Sequence, residues 1–196
     1  MTTGERLDKL MALKVGAVPV SGAESKGLVL VFTGNGKGKT SAAMGVALRA
    51  LGHGKRVHIV YFMKGGSPYG EQVALSNLSN VIFSRFGLQE YVDPKNITPE
   101  DKEEDSKSFS AARQAVLSGN YDLVILDEVN IAAAWKLIDI DKVTELIDNK
   151  PADVDLILTG RYADQKLIDR ADLVTEMKEI KHPYASGAIA KKGIDY

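Results

Sequence analysis

Residues 33–41, which read Thr-Gly-Asn-Gly-Lys-Gly-Lys-Thr-Ser, constrain the fold more than any other part of this chain. They follow an apolar run at 28–33 and open a segment rich in alanine and leucine. Glycines let successive backbone N–H groups turn toward phosphate oxygens, and a following helix adds the positive end of its dipole. A strand, a glycine-rich loop and a helix in this order predict a Walker A phosphate-binding loop.

The loop departs slightly from the usual Walker A spacing. Three residues separate Gly34 from Gly38, so Thr33 occupies the position of the first glycine. Lys39 would place a positive charge near the phosphates, and the Thr40 hydroxyl is suited to a magnesium ion. The alternative is a solvated turn rich in glycine and lysine. The candidate binding residues are Gly34, Asn35, Gly36, Lys37, Gly38, Lys39, Thr40 and Ser41.

Apolar and β-branched runs alternate with segments of helical pattern along the chain. This alternation predicts an α/β fold with a mainly parallel sheet flanked by helices, whose ligands bind beyond the carboxyl ends of the strands. The predicted strands are 28–33, 57–63, 81–86, 121–127, 154–159 and 172–177, and the predicted helices are 39–51, 70–78, 98–118 and 141–149.

Two adjacent acids, Asp127 and Glu128, end the apolar run at 121–127 as they would in a Walker B strand. Either carboxylate would hold magnesium, directly or through water. The alternative is that both acids cap the following helix. Together with the loop at 33–41, they indicate nucleotide binding without naming a reaction.

Composition limits the classes of protein to consider. The 196 residues are 44% hydrophobic, and 25 basic against 26 acidic residues give a net charge of −1, which argues against binding nucleic acid or a membrane surface. Cysteine is absent, so thiolate chemistry is excluded. No run of about 18 apolar residues predicts a membrane span, and charged residues within 1–14 argue against a signal peptide, so we expect a cytoplasmic protein. We expect an N-terminal arm at 1–26 and one domain at 27–196.

Several further motifs occur in one order with the phosphate loop. They are Gly-Asn-Gly-Lys-Gly-Lys-Thr at 34–40, Ala-Leu-Arg-Ala-Leu-Gly-His-Gly at 47–54, Asp-Leu-Val-Ile-Leu-Asp-Glu-Val-Asn at 122–130, Leu-Thr-Gly-Arg at 158–161, and a segment at 171–183. From about residue 27 to 196, this combination resembles the P-loop type of ATP:corrinoid adenosyltransferase.

The resemblance implies a RecA-like P-loop fold, usually a homodimer, that binds ATP with Mg²⁺, or alternatively Mn²⁺, in an orientation reversed relative to P-loop hydrolases. It further implies that a reduced cob(I) corrinoid attacks the 5′ carbon of ATP and expels intact triphosphate. A flavoprotein reductase would supply the reduced corrinoid. The reaction belongs to adenosylcobalamin biosynthesis or salvage.

The resemblance also assigns roles to individual residues. It makes Lys39, Glu128 and Arg161 the catalytic set, with Thr40, Glu128 and Asp127 as candidate metal ligands and Asn130 and Arg49 as candidate nucleotide contacts. Arg49 could equally be an exposed helix arginine, whereas for Arg161 a phosphate or ribose role is favoured over a surface ion pair. The histidines at 53, 58 and 182 are too few and too widely spaced for a metal cluster.

The corrinoid site is where the sequence departs from the family. Many relatives carry Gly-Phe-Thr-Trp after the third strand, whereas this chain has Phe-Gly-Leu-Gln-Glu-Tyr-Val-Asp at 86–93. Phe86 and Tyr91 could supply the apolar contact to the corrinoid. Phe86 could equally be a core residue and Tyr91 a surface ring.

Two other classes of function fit the nucleotide motifs. A RecA-like ATPase or kinase would act at the terminal phosphate and yield ADP. A regulatory nucleotide-binding module would leave ATP intact.

Overall fold

A six-stranded, fully parallel sheet forms the centre of the computed structural model, which describes residues 26–66, 68–187 and 189–195. The strand order is β3-β2-β4-β5-β1-β6. All six predicted strands are present, each shorter than predicted. They are β1 (Val29–Thr33), β2 (Val57–Tyr61), β3 (Val81–Arg85), β4 (Leu123–Asp127), β5 (Asp155–Thr159) and β6 (Leu173–Glu176).

Helices connect the strands and cover the sheet, which confirms the predicted α/β fold. All four predicted helices are present, whereas α4, α6 and a 3-10 helix at Pro183–Ser186 were not predicted. Of the predicted arm at 1–26, only Lys26 lies within the described residues. The helices are α1 (Lys39–Gly52), α2 (Gly70–Leu75), α3 (Pro99–Leu117), α4 (Val129–Ala134), α5 (Ile140–Asp148) and α6 (Gln165–Ile168).

Helix α2 ends three residues before the predicted end at residue 78. The side chains of Ser76 and Asn77 both donate hydrogen bonds to the Val73 carbonyl, at 2.9 and 3.1 Å. Short polar side chains that bond to nearby carbonyls compete with the helical hydrogen bonds. The chain therefore turns at Ser76, and the Leu78 N–H bonds to the Leu75 carbonyl.

The sheet separates two apolar layers. Strands β2 and β4 are buried at every residue, as expected for strands covered on both faces. One layer contains side chains from α3, α4 and α5, and the other contains side chains from α1 and α2. Strand β6, at the edge, is exposed at every residue. Within the described residues, every helix is too short or too polar to cross a lipid bilayer.

The start of α3 follows the prediction from the sequence. Pro99 is the first helical residue, and the Thr98 hydroxyl accepts from the Asp101 N–H at 3.1 Å. The Asp101 carboxylate in turn accepts from the Thr98 N–H at 2.9 Å. This reciprocal pair satisfies backbone donors that the helix leaves open, and it fixes where α3 begins.

A buried carboxyl on α3 holds the loop that leaves β2. Asp105 is 1% exposed and accepts a hydrogen bond from the backbone N–H of Met63. Burial raises the pKa of Asp105 to about 7, and the nearby Asp101 and Glu104 raise it further against the effect of the Met63 N–H. The residue therefore joins α3 to the carboxyl edge of the sheet while carrying a carboxyl that resists ionisation.

We expect Asp105→Asn to change how protein stability depends on pH. The pKa of Asp105 is higher in the folded protein than in the unfolded chain, so ionisation lowers stability as pH rises from about 4 to about 7. Because one pKa unit corresponds to about 1.4 kcal/mol, the variant should gain on the order of 3 kcal/mol over wild type across this interval. Urea unfolding at pH 4.5 and pH 8 measures the difference, with Glu103→Gln on the same helix as the control. Parallel curves for wild type and Asp105→Asn would contradict the prediction.

Candidate functional site

The phosphate loop packs against the backbone that follows β6. The Gly36 N–H donates to the Met177 carbonyl at 2.7 Å. A Cβ atom on Gly36 would lie 2.7 Å from the Lys178 carbonyl oxygen, and one on Gly34 would lie 2.4 Å from the Met177 oxygen. Gly34 also has φ of 96°, which favours glycine. Close approach and backbone conformation therefore explain why glycine stands at these two positions.

Lys39 places its ammonium inside the loop. The residue is 8% exposed, and Nζ donates to the carbonyl oxygens of Gly34 and Gly36 at 2.9 and 2.7 Å. Burial lowers the pKa of Lys39, and Arg161 lowers it as well, while Glu128 and Asp127 oppose the change. A partly desolvated ammonium beside a helix N-terminus is well suited to bind phosphate oxygens.

The Asp127 carboxylate is bonded on both oxygens to other protein groups. Oδ1 accepts from the Thr40 hydroxyl at 2.9 Å and from the Thr159 hydroxyl at 2.7 Å. Oδ2 accepts from Lys64 Nζ at 2.6 Å. Asp127 is fully buried, so in this state its carboxylate has no surface toward a ligand.

Glu128, the next residue, is directed into a cavity. It has a left-handed backbone with φ of 68°, and its N–H donates to the Thr159 hydroxyl at 3.0 Å. Its side chain remains 25% exposed, and Oε1 lies 3.8 Å from Lys64 Nζ. Burial and the Asp127 charge raise the pKa of Glu128, whereas Lys64, Lys39 and Arg161 lower it. The turn therefore separates two adjacent acids into a buried one and a ligand-facing one.

A cavity of about 360 Å³ lies above the loop at the carboxyl edge of the sheet. Its lining includes the charged side chains of Lys39, Lys64, Glu128 and Arg161 together with aromatic and apolar side chains. This combination suits a ligand with a charged tail and a less polar body. The remaining lining residues are Gly36, Lys37, Gly38, Thr40, Ser41, Phe62, Met63, Tyr69, Tyr91, Val92, Ile131, Trp135, Ile194 and Asp195.

The structure brings together only part of the predicted site. Residues 36–41, Glu128, Arg161 and Tyr91 line the cavity, and Tyr91 is 95% exposed. Gly34 and Asn35 belong to the loop but do not line the cavity.

Four other predicted residues lie outside the cavity. Arg49 is exposed on α1, about 15 Å along the helix from Lys39. Asn130 is fully buried, and its amide donates to the Gly160 carbonyl at 3.2 Å. Phe86 packs against the core, and Asp127 is fully buried and does not line the cavity. The histidines at 53, 58 and 182 do not line the cavity.

Two residues of the site, Lys64 and Asp195, were not predicted. Lys64 follows β2 and contacts both acids, a placement that its position beyond a parallel strand could have signalled. Asp195 forms an ion pair with Lys37 of the loop and lines the cavity. Asp195 is distant from the loop in sequence, so no local pattern could indicate this contact.

The oxygen donors around the cavity fit a divalent cation such as magnesium. The Thr40 hydroxyl and the Glu128 carboxylate are hard oxygen ligands. Within the described ranges, no three His, Cys, Asp or Glu side chains are grouped to hold a metal ion. Few protein ligands are typical of magnesium sites that are completed by substrate phosphates and water.

Comparison with known proteins decides between the classes of nucleotide-binding protein. The family model of the ATP:corrinoid adenosyltransferases BtuR/CobO/CobP matches residues 25–196. The chain belongs to this family. The adenosyltransferase is 33% identical to the corrinoid adenosyltransferase of Escherichia coli K12 over 93% of this chain and 92% of that one.

Two further comparisons support the assignment and the fold. The adenosyltransferase is 34% identical to the corrinoid adenosyltransferase CobA of Salmonella typhimurium LT2, over 93% of this chain and 92% of that one. It shares its fold with the cytoplasmic domain of EssC, with a TM-score of 0.50 and 13% identity over 86% of this chain and 34% of that one.

The two adjacent acids of the adenosyltransferase should respond differently to loss of charge. Glu128→Gln should raise the magnesium concentration needed for half-maximal activity with little change in melting temperature, because Glu128 faces the cavity. Asp127→Asn should destabilise the fold by about 3 kcal/mol, because it leaves the buried Lys64 without its nearest counter-charge. Magnesium titration and thermal unfolding of both variants measure this. Equal loss of stability in the two variants would contradict the division of roles.

Proposed function

We propose that the cavity binds ATP with its triphosphate on the loop at 34–40 and presents the 5′ carbon to a reduced corrinoid. Family membership makes the chain an ATP:corrinoid adenosyltransferase. The observation that supports the arrangement is the cavity itself, which is lined by the cations Lys39 and Arg161 and by the aromatic side chains of Trp135 and Tyr91. Charged and apolar regions in one cavity suit a triphosphate that leaves next to a less polar reaction centre.

The reaction requires no nucleophilic side chain. The filled axial orbital of cob(I) attacks the 5′ carbon and forms a cobalt–carbon bond. The bond from that carbon to oxygen breaks, its electron pair leaves with the triphosphate, and the cobalt becomes formally Co(III). The protein orients the two substrates, excludes water and stabilises the charge on the departing triphosphate.

Each cavity residue has a proposed role in stabilising that charge. Lys39 and the backbone N–H groups of the loop bind phosphate oxygens, and Arg161 contributes a second cation from the end of β5. Thr40 and Glu128 would hold the divalent cation, magnesium or manganese, which neutralises part of the triphosphate charge when bound. Asp127 orients the Thr40 hydroxyl from below.

The remaining roles rest on resemblance to the family. They comprise the homodimer, the flavoprotein reductase, the cytoplasmic location, the nucleotide contacts of Asn130 and Arg49, and the corrinoid contacts of Phe86 and Tyr91. Tyr91 has the strongest support among these residues, because it lines the cavity and its ring is exposed. Since Arg49 lies on an exposed face away from this cavity, a nucleotide contact would require a ligand that extends beyond it.

Product analysis tests where ATP is cleaved. With Mg²⁺, ATP and chemically reduced corrinoid under anaerobic conditions, we expect triphosphate and a light-sensitive alkylcorrinoid in equal amounts. Triphosphate leaves as a whole because no phosphorus atom is attacked. Phosphorus NMR and visible spectra follow the two products. ADP and orthophosphate without alkylcorrinoid would support the ATPase or kinase alternative, and intact ATP would support a regulatory module.

Removal of the loop side chains should abolish most activity without unfolding the protein. Lys39→Ala and Thr40→Ala should each lower kcat/KM by about 100-fold or more, because each removes a group that stabilises the leaving triphosphate. Thr40→Ser keeps the hydroxyl and is the matched control. Steady-state kinetics and circular dichroism measure the effects. Wild-type turnover in both alanine variants would remove the loop from the mechanism.

A further inference from the structure

Lys64 occupies the position at which a cation would meet the two acids of the site. Its Nζ lies 2.6 Å from Asp127 Oδ2 and 3.8 Å from Glu128 Oε1, and 14% of its side chain is exposed. The ammonium also lies 5.0 Å from the centre of the Tyr69 ring and 5.7 Å from that of Tyr61. Two carboxylates and two aromatic faces therefore surround one positive charge.

The backbone around Lys64 is fixed by the neighbouring loop after β3. The Lys64 N–H donates to the Phe86 carbonyl at 2.8 Å, and the Arg85 guanidinium donates to the Lys64 carbonyl at 3.3 Å. Gly65 and Gly87 approach so closely that a Cβ atom on Gly65 would lie 1.6 Å from the Gly87 oxygen. The two loops therefore hold the Lys64 backbone in place.

The side chain of Lys64 can move although its backbone is fixed. Lysine carries its charge on a flexible four-carbon stem, and Lys64 lines the same cavity as Lys39 and Arg161. A change of rotamer would carry the ammonium from the acids toward the space above the loop.

The charges around Lys64 favour such a transfer when a divalent cation enters. Asp127, Glu128 and Lys64 together carry a charge of −1, since two negative charges meet one positive charge. A divalent cation would raise the charge of the group to +1 and repel the ammonium. A triphosphate on the neighbouring loop would attract it at the same time.

We propose that Lys64 holds the cation position at Asp127 and Glu128 until ATP and the divalent cation arrive, and then binds the triphosphate as a further cation. The inference rests on the proposed function, since it assumes that ATP occupies this cavity. It assigns Lys64 two partners in succession. The acids are its partners without ligand, and phosphate oxygens are its partners with ligand.

Equilibrium binding to Lys64→Met tests the proposal without turnover. Loss of the ammonium should tighten Mn²⁺ binding in the absence of nucleotide by on the order of tenfold, because the competing cation is gone. The same substitution should weaken ATP binding at saturating Mg²⁺ by a similar factor, because a phosphate contact is lost. Electron paramagnetic resonance of free Mn²⁺ and titration calorimetry measure the two affinities.

The opposite directions of these changes separate the proposal from a structural role. If Lys64 only stabilises the fold, Lys64→Met should weaken both affinities, and that result would overturn the proposal. Lys178→Met is the matched control, since it removes an exposed lysine that lies beside the phosphate loop but does not line the cavity. Its Mn²⁺ affinity should stay at the wild-type value. If it tightens as much as in Lys64→Met, loss of any nearby positive charge explains the effect, and the proposal is overturned. Failure of the wild-type protein to bind ATP would overturn the proposed function itself.

Chemical labelling of the wild-type protein tests the same transfer without a variant. Acetic anhydride acetylates accessible amines, and mass spectrometry of peptides quantifies the modification at Lys64. Mn²⁺ alone should increase acetylation of Lys64, because the displaced ammonium enters the open cavity. ATP added with Mn²⁺ should suppress it again. Acetylation of Lys64 that is unchanged by Mn²⁺ would overturn the proposal.

Discussion

The buried carboxylate of Asp127 joins four segments that are distant in sequence. It bonds Thr40 at the start of α1, Thr159 at the end of β5 and Lys64 after β2, and it belongs to β4 itself. A buried charge is costly unless it is paired and hydrogen-bonded, so these contacts depend on one another. The hydrogen bond to this carboxylate therefore fixes the position of the Thr40 hydroxyl, and with it one side of the nucleotide site.

Sharp turns at the carboxyl edge of the sheet direct the side chains around that carboxylate. Three residues other than glycine have left-handed backbones there: Met63 after β2, Glu128 after β4 and Tyr162 after β5. Such conformations are unfavourable for these residue types and tend to occur at functional sites. Each lies in or next to a segment that lines the cavity, which contains Met63, Glu128 and Arg161. The strained backbone positions therefore lie in or next to the segments that line the cavity.

Periodicity in the sequence was sufficient to predict the sheet and most of the helices. The apolar run that became β4 is buried on both faces, and a pattern of that kind depends little on distant contacts. Helix α4 was missed because six residues following two acids carry too little periodicity, and its start depends on the turn at Glu128. The end of α2 was wrong because Ser76 and Asn77 compete for carbonyls, an effect that apolar spacing does not reveal.

Site residues that belong to a sequence motif were easier to predict than residues whose position depends on how distant segments pack together. Residues 36–41 and Glu128, which belong to recognisable motifs, line the cavity. Asn130 is also polar, but its side-chain amide donates a hydrogen bond to the Gly160 carbonyl inside the fold. Lys64 follows a predicted strand, but its contact with Asp127 depends on β2 and β4 lying side by side. The sequence alone does not reveal which strands become neighbours.

The contact between the phosphate loop and the segment after β6 has a consequence for how the protein is made. The Gly36 N–H donates to the Met177 carbonyl, and β6 pairs with β1. The Val29 N–H donates to the Asp172 carboxylate, which lies 143 residues further along the chain. A ribosome releases the loop long before it releases β6, and synthesis proceeds at roughly 5–20 residues per second. The nascent chain therefore carries an incomplete phosphate loop for several seconds, and the nucleotide site forms only when its last strand joins the sheet.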